Sequence, residues 1–187
     1  TTKKMALEAG LKAVEANQMS ARAHVYLSTA AHLNGRIDLM KRHTKLSVEL
    51  NPYDTDALAS AAWKYGSIGE WELNRKYGEA ALKYNPNPPK WYHGAIFAYY
   101  FYKDMHDKAL YHAIHNFQAG DVFSHFYLIA AYVSAGEIEK ATKLADETKL
   151  KFPKAVDDLD EFLSIWHLPK QIRQKFVENL SKAGISP

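Results

Sequence analysis

Slid by 34 residues along itself, the sequence brings "AHLNGRIDLMKRHTKLSVELNP" (31–52) onto "KYGSIGEWELNRKYGEAALKYNP" (64–86), with Gly35 on Gly69 and Asn51-Pro52 on Asn85-Pro86. A period of this length constrains the fold strongly, because a unit so short cannot bury its own apolar face and must stack on its neighbours. "YKDMHDKALYHAIHNF" (102–117) and "SAGEIEKATKLADETKLKFP" (134–153) continue the pattern with Asp104 and Gly136 at the glycine position. The spacings there are 35 and then 32, so the third unit is irregular. Backwards, "ALEAGLKAVEANQ" (6–18) matches a second helix alone, and the chain is expected to begin inside a repeat of a longer protein.

Thirty-four residues is the tetratricopeptide period. The expected fold is all-α, a tetratricopeptide-like right-handed superhelix of antiparallel helix pairs with a C-terminal capping helix pair. The expected organisation is a second helix of a truncated repeat (1–20), four repeats (21–54, 55–88, an irregular 89–121, and 122–153), and capping helices (154–187). Small side chains recur where paired helices must approach: Ala62 in a first helix, and Gly10, Gly78, Ala113 and Ala145 in second helices. Met40 and Asn74 stand where this motif prefers Ala, which is expected to loosen the first two pairs. Gly35, Gly69 and Gly136 end first helices, and Pro52, Pro86 and Pro153 mark stops after second ones. After Pro153, Val156, Leu159, Phe162, Leu163 and Trp166 follow helical spacing, Pro169 opens another helix, and Ile172, Phe176 and Leu180 form its apolar stripe. That pair would cover the last apolar face of the array.

Composition excludes several classes. With 24 Lys+Arg against 21 Asp+Glu, scattered along the chain, no basic stripe marks a nucleic-acid surface. No apolar run approaches a membrane span, and without cysteine there is no thiolate nucleophile or cysteine-based zinc site. No phosphate loop, nucleophile elbow or HExxH is present, and no cofactor is expected.

The stretch "LNPYDTDALASAAWKYGSIGEWELNRKYGEAALKYNPNPPKWYHG", the fourth repeat with "HFYLIAAYVSAGEIEKA", and the ending "FVENLSKAGI" resemble the C-terminal tetratricopeptide region of bacterial class III adenylate/guanylate cyclases. A similar region follows the DNA-binding domain of some winged-helix regulators. The resemblance covers nearly the whole chain, with "NPNPPKWYHG" (85–94) and "LSKAGI" (180–185) its most specific parts. It implies a non-catalytic accessory module of a larger signalling protein, which acts on a polypeptide partner or on its own upstream domain. Cyclase activity would belong to the full-length protein, and no cyclase residue maps onto this chain. A cytoplasmic location is implied, or a periplasmic one for a membrane-spanning regulator. Exposed ends of the array allow weak self-association.

In such hairpins the second, fifth, ninth and twelfth positions of first helices line a concave groove. With Ala21, Thr55, Pro89 and Val122 as first positions, the candidate groove residues include Val25, Trp63, Lys90, His93, Phe97, Tyr100 and Phe126. A slip in the irregular third unit would turn its helix by about 100°, replacing Phe97 and Tyr100 with Trp91 and Phe101. Large rings recurring on successive first helices suit a polypeptide partner. The alternative is that they fill the array or meet the C-terminal pair. A clamp for a C-terminal carboxylate is not expected, since Val25 and Thr29 stand where such clamps carry Lys and Asn.

Weaker signals have plain structural readings. His112 and His115 in "HAIH" lie three apart with no carboxylate between them, and position 112 is expected to face solvent. "KRHTK" (41–45) reads as a solvated helix face and "DDLDE" (157–161) as a helix start whose carboxylates complement the dipole.

Overall fold

The computed structural model describes residues 2–164 and 168–186. Among these, the chain forms twelve helices and no strand. They divide into two compact units, one of Thr1–Gly66 with Glu70–Pro88 and the other of Ser67–Gly69 with Pro89–Pro187.

Unit 1 contains α1 (Thr2–Ala16), α2 (Ala21–Leu33), α3 (Ile37–Leu50), α4 (Thr55–Ser67, whose last residue falls in unit 2) and α5 (Trp71–Tyr84). α2 starts where the Ser20 side chain accepts a hydrogen bond from the Ala23 amide at 3.2 Å. It packs on both α1 and α3. A Cβ added at Gly10 of α1 would lie 2.9 Å from the Leu27 Cα, so a side chain there would force the two helices apart. Met40 and Asn74, expected to loosen their pairs, are fully buried. Asn74 Nδ2 donates to the Ala62 carbonyl at 2.6 Å, a bond that ties α5 to α4 where alanine could not.

Unit 2 contains α6 (Trp91–Tyr102), α7 (His106–Asn116), α8 (Val122–Ser134), α9 (Ile138–Lys151), α10 (Pro153–Asp157), α11 (Leu159–Ser164) and α12 (Lys170–Lys182). The hairpins are α6 with α7 and α8 with α9. Pro153 sits in the first turn of α10, where its missing N–H costs nothing. The first member of the expected closing pair is broken at Asp158 into α10 and α11, and Trp166 lies outside the described residues. Phe123 and Phe126 of α8 meet Phe162 of α11, with centroids 4.3 and 6.1 Å apart.

One turn design recurs. Gly35, Gly69, Asp104 and Gly136 have φ of 68°, 81°, 54° and 78°, and the residue after each donates its amide to a carbonyl five back: Arg36 to Ala31, Glu70 to Tyr65, Met105 to Tyr100 and Glu137 to Tyr132. This backbone cap satisfies carbonyls that the helix end leaves without partners. Asp104 performs it without glycine, so it holds a left-handed conformation that an ordinary side chain disfavours.

Candidate polypeptide-binding surface

The first helices of unit 1 carry a mixed polar and aromatic face. Arg22 near the start of α2 reaches Asp54 at 3.5 Å and Asp56 at 3.6 Å, while about half of its side chain stays exposed. Trp63 of α4 is half-buried, its ring edge-on to His32 of α2 at 4.8 Å. Val25 is buried, and its carbonyl accepts a hydrogen bond from Thr29 Oγ1 at 2.9 Å. Thus Trp63, Arg22 and Asp56 offer surface there, and Val25 does not.

One position further along α4, sequence reasoning missed Lys64, which is almost fully buried with its Nζ donating to Ser60 Oγ at 2.6 Å. Burial pushes its ammonium down to about 7. Nothing in its local spacing distinguishes it from the exposed lysines of other helices.

In unit 2 the phase of the aromatic run is decided by the turn that follows it. Counted back from Asp104 as α4 is from Gly69, the first position is Lys90 instead of Pro89, and His93 takes the fourth position, as His24 does in α2. Lys90 is exposed, with Nζ donating to the Phe117 carbonyl at 3.0 Å, and His93 is half-buried. Phe97, Tyr100, Phe101 and Phe126 are 2%, 6%, 3% and 0% exposed, so these rings form core in this structure. Phe97 stacks on Tyr127 at 4.7 Å and on Phe101 at 5.3 Å. Phe101 also meets Phe176 of α12 edge-on at 5.9 Å. Trp91, at 40% exposed, is the ring of this run that turns outward.

The cover over Phe97 and Phe101 is α12, whereas Tyr100 lies against His112 of α7 and Phe126 meets Phe162 of α11. Helix α12 packs along α8 and reaches the end of α6, both first helices. Lys175 Nζ donates to the Phe101 carbonyl at 2.8 Å and to Asp104 Oδ1 at 2.6 Å, and lies 5.0 Å from the Phe101 ring centroid. The hydrogen bond from Lys175 holds the Asp104 carboxyl below the usual carboxylate range. Asn179 Nδ2 donates to Ser134 Oγ at 2.7 Å and to the Ala130 carbonyl at 3.3 Å.

His112, expected to face solvent, is instead buried: its ring lies flat on Tyr100 at 4.9 Å, and its Nδ1 is 2.9 Å from Nδ1 of His93. Position 112 lies eight residues after the Asp104 turn, as the buried His43 and Leu144 lie eight after Gly35 and Gly136, so it belongs to the face that packs on the first helix. His115 Nδ1 contacts the Tyr111 carbonyl at 2.7 Å. Among the described residues no group of three or more His, Asp or Glu is arranged to hold a metal ion. In "KRHTK", His43 and Thr44 are buried, and Lys41 pairs with Glu70 at 2.6 Å. In "DDLDE", Asp160 pairs with Arg173 at 2.6 Å, which ties α11 to α12. No described helix is long and apolar enough to cross a membrane.

No family model matches the chain, and no curated protein matches it. Among solved structures it is similar to YrrB, described as a TPR protein with an unusual peptide-binding site, at 17% identity and a TM-score of 0.64 over 95% of this chain and 92% of that one. That likeness extends to the hairpins and not to any effector domain, and with the all-helical architecture it makes the fold of this chain tetratricopeptide-like.

Proposed function

We propose that the chain is a non-catalytic polypeptide-binding module that works through faces of its first helices, open in unit 1 and occupied by α12 in unit 2. The observation that carries this reading is α12: a helical segment with an apolar stripe rests on α6 and α8, so that surface has the shape and chemistry to hold a polypeptide helix. The fold neighbour's description as a peptide binder supports the same reading. In unit 1 the contact residues are Trp63 as aromatic anchor, with Arg22 and Asp56 as a polar rim. Lys90 and His93 are the accessible candidates in unit 2.

The test is selection of peptides from a displayed random library on the full chain. Enriched sequences are expected to lose about tenfold or more in affinity on Trp63→Ala and on Arg22→Glu, with circular dichroism unchanged. No enrichment over an unrelated helical protein, or binding indifferent to both substitutions, would overturn the assignment.

The module's context in this proposal is a bacterial signalling protein. Its partner is its own effector domain or a separate polypeptide, and the effector is a nucleotide cyclase or a winged-helix regulator. Residues encoded before Thr1, where there are any, would discriminate these: paired metal-binding aspartates indicate a cyclase acting in the cytoplasm. A winged helix followed by a membrane span indicates a sensor region outside it.

A further inference from the structure

The contacts of α12 read as a recognition pattern. Ile172, Phe176 and Leu180 recur every fourth residue and are buried, and Lys175 and Asn179 lie on the same side of the helix. Each polar member has a made partner. Lys175 fills a socket formed by the Phe101 carbonyl, the Phe101 ring and the Asp104 carboxylate. That carboxylate is placed by the left-handed turn at Asp104, a position that is glycine in the other three such turns. Asn179 reads the Ala130 carbonyl and Ser134 Oγ on α8.

The fit is incomplete. A cavity of about 30 Å³, room for roughly one water, remains among Phe97, Ala98, Phe101, Tyr127, Ile172 and Phe176. At 13 residues, α12 is too short to be a stable helix by itself, so its helicity depends on docking. Its tie to α11 is the pair of Arg173 with the exposed Asp160.

We propose that the face formed by α6 and α8 is a receptor for a partner helix with apolar residues at i, i+4 and i+8, lysine at i+3 and asparagine at i+7, and that α12 is the resident occupant which such a partner displaces. This rests on the polypeptide-binding reading and names the partner chemistry for unit 2. The cavity favours a partner with a bulkier apolar residue than Ile172 or Phe176. Because α12 is tethered, it competes at high effective concentration, so the face is closed until a matching helix arrives or α12 is loosened.

The test uses the full chain carrying Lys175→Glu, which sets a carboxylate against Asp104 and leaves the receptor face intact, and a fluorescent peptide of the α12 sequence KQIRQKFVENLSK. The K175E chain is expected to bind this peptide about tenfold or more tightly than the unaltered chain does. Peptides with Lys→Glu or Phe→Ala at the positions of Lys175 and Phe176 are expected to lose tenfold or more. An Asn179→Ala chain serves as a second loosened form if K175E loses its helical circular dichroism. A folded, loosened chain without saturable binding, or one that binds a scrambled peptide equally, overturns the proposal. So does a loosened chain that dimerises without binding peptide, which would show α12 exchanging between copies. Library peptides lost on Trp63→Ala, together with no binding of the α12 peptide, would leave the general polypeptide-binding reading intact and remove this one.

Discussion

Two pairs of histidines face each other Nδ1 to Nδ1, His24 with His43 at 2.7 Å and His93 with His112 at 2.9 Å, and each contact has room for one proton. With both rings neutral, the first pair has one direction: His24 Nε2 lies 2.9 Å from the Gln18 carbonyl, which can only accept, so His24 Nδ1 is bare and His43 donates. Burial, then His24 and Arg42, hold the His43 imidazolium below its ordinary value. His112 goes further, with burial first and then His93, His115 and Lys108 pushing it down to about 3. A histidine depressed in the folded state contributes stability that is complete above the unfolded value near 6.5 and is lost as pH falls toward the folded one. From pH 6.5 to about 4.5 the loss from His112 is expected to be ~2–3 kcal/mol, at ~1.4 kcal/mol per pH unit. In urea titrations over that range, His112→Phe, which keeps a ring on Tyr100, should flatten the slope by that amount. An unchanged slope would show that His112 titrates freely. The "HAIH" spacing was visible in the sequence, but the inward turn of its first histidine was not, because two histidines three apart do not show which of them meets the first helix, where His112 finds His93 and Tyr100.

At the scale of elements, the hairpins rest on local rules that the sequence displays openly. Glycine stands at three of the four first-helix ends, and the backbone cap there needs only a residue that tolerates positive φ. Close helix approach is equally legible at Gly10. Alanine in its place would gain about 1 kcal/mol of helix propensity, yet its Cβ would meet the Leu27 backbone at 2.9 Å, which cannot yield as a side chain tip can. Overpacking costs of ~1–3 kcal/mol exceed that gain, so Gly10→Ala is expected to destabilise α1 against α2 by ~1–2 kcal/mol. Faster amide exchange in α1 would report it, and slower exchange would show that the helices separate at no cost. What the pattern left open was the phase of 91–102: nearly every position there is apolar, so periodicity could not choose which rings face the second helix.

For the whole molecule, stability in a repeat array is a sum over units and their nearest neighbours. Phe176→Ala truncates a buried ring of α12 and is expected to cost ~3 kcal/mol, or less if α12 simply undocks. Hydrogen exchange should then rise in α12 and α8 while α2 and α3 keep their protection. A uniform rise through every helix would mean that the chain unfolds as one cooperative body. The repeat period, the helix type, the hairpin turns and the apolar stripe at Ile172, Phe176 and Leu180 were all set by residues near one another in sequence, through hydrogen bonds and side-chain spacings of a few positions. Where that stripe docks was not. An apolar face specifies that it must be covered and not by what, and only long-range packing sends Lys175 to a carboxylate 71 residues away and lays α12 on the first helices of unit 2.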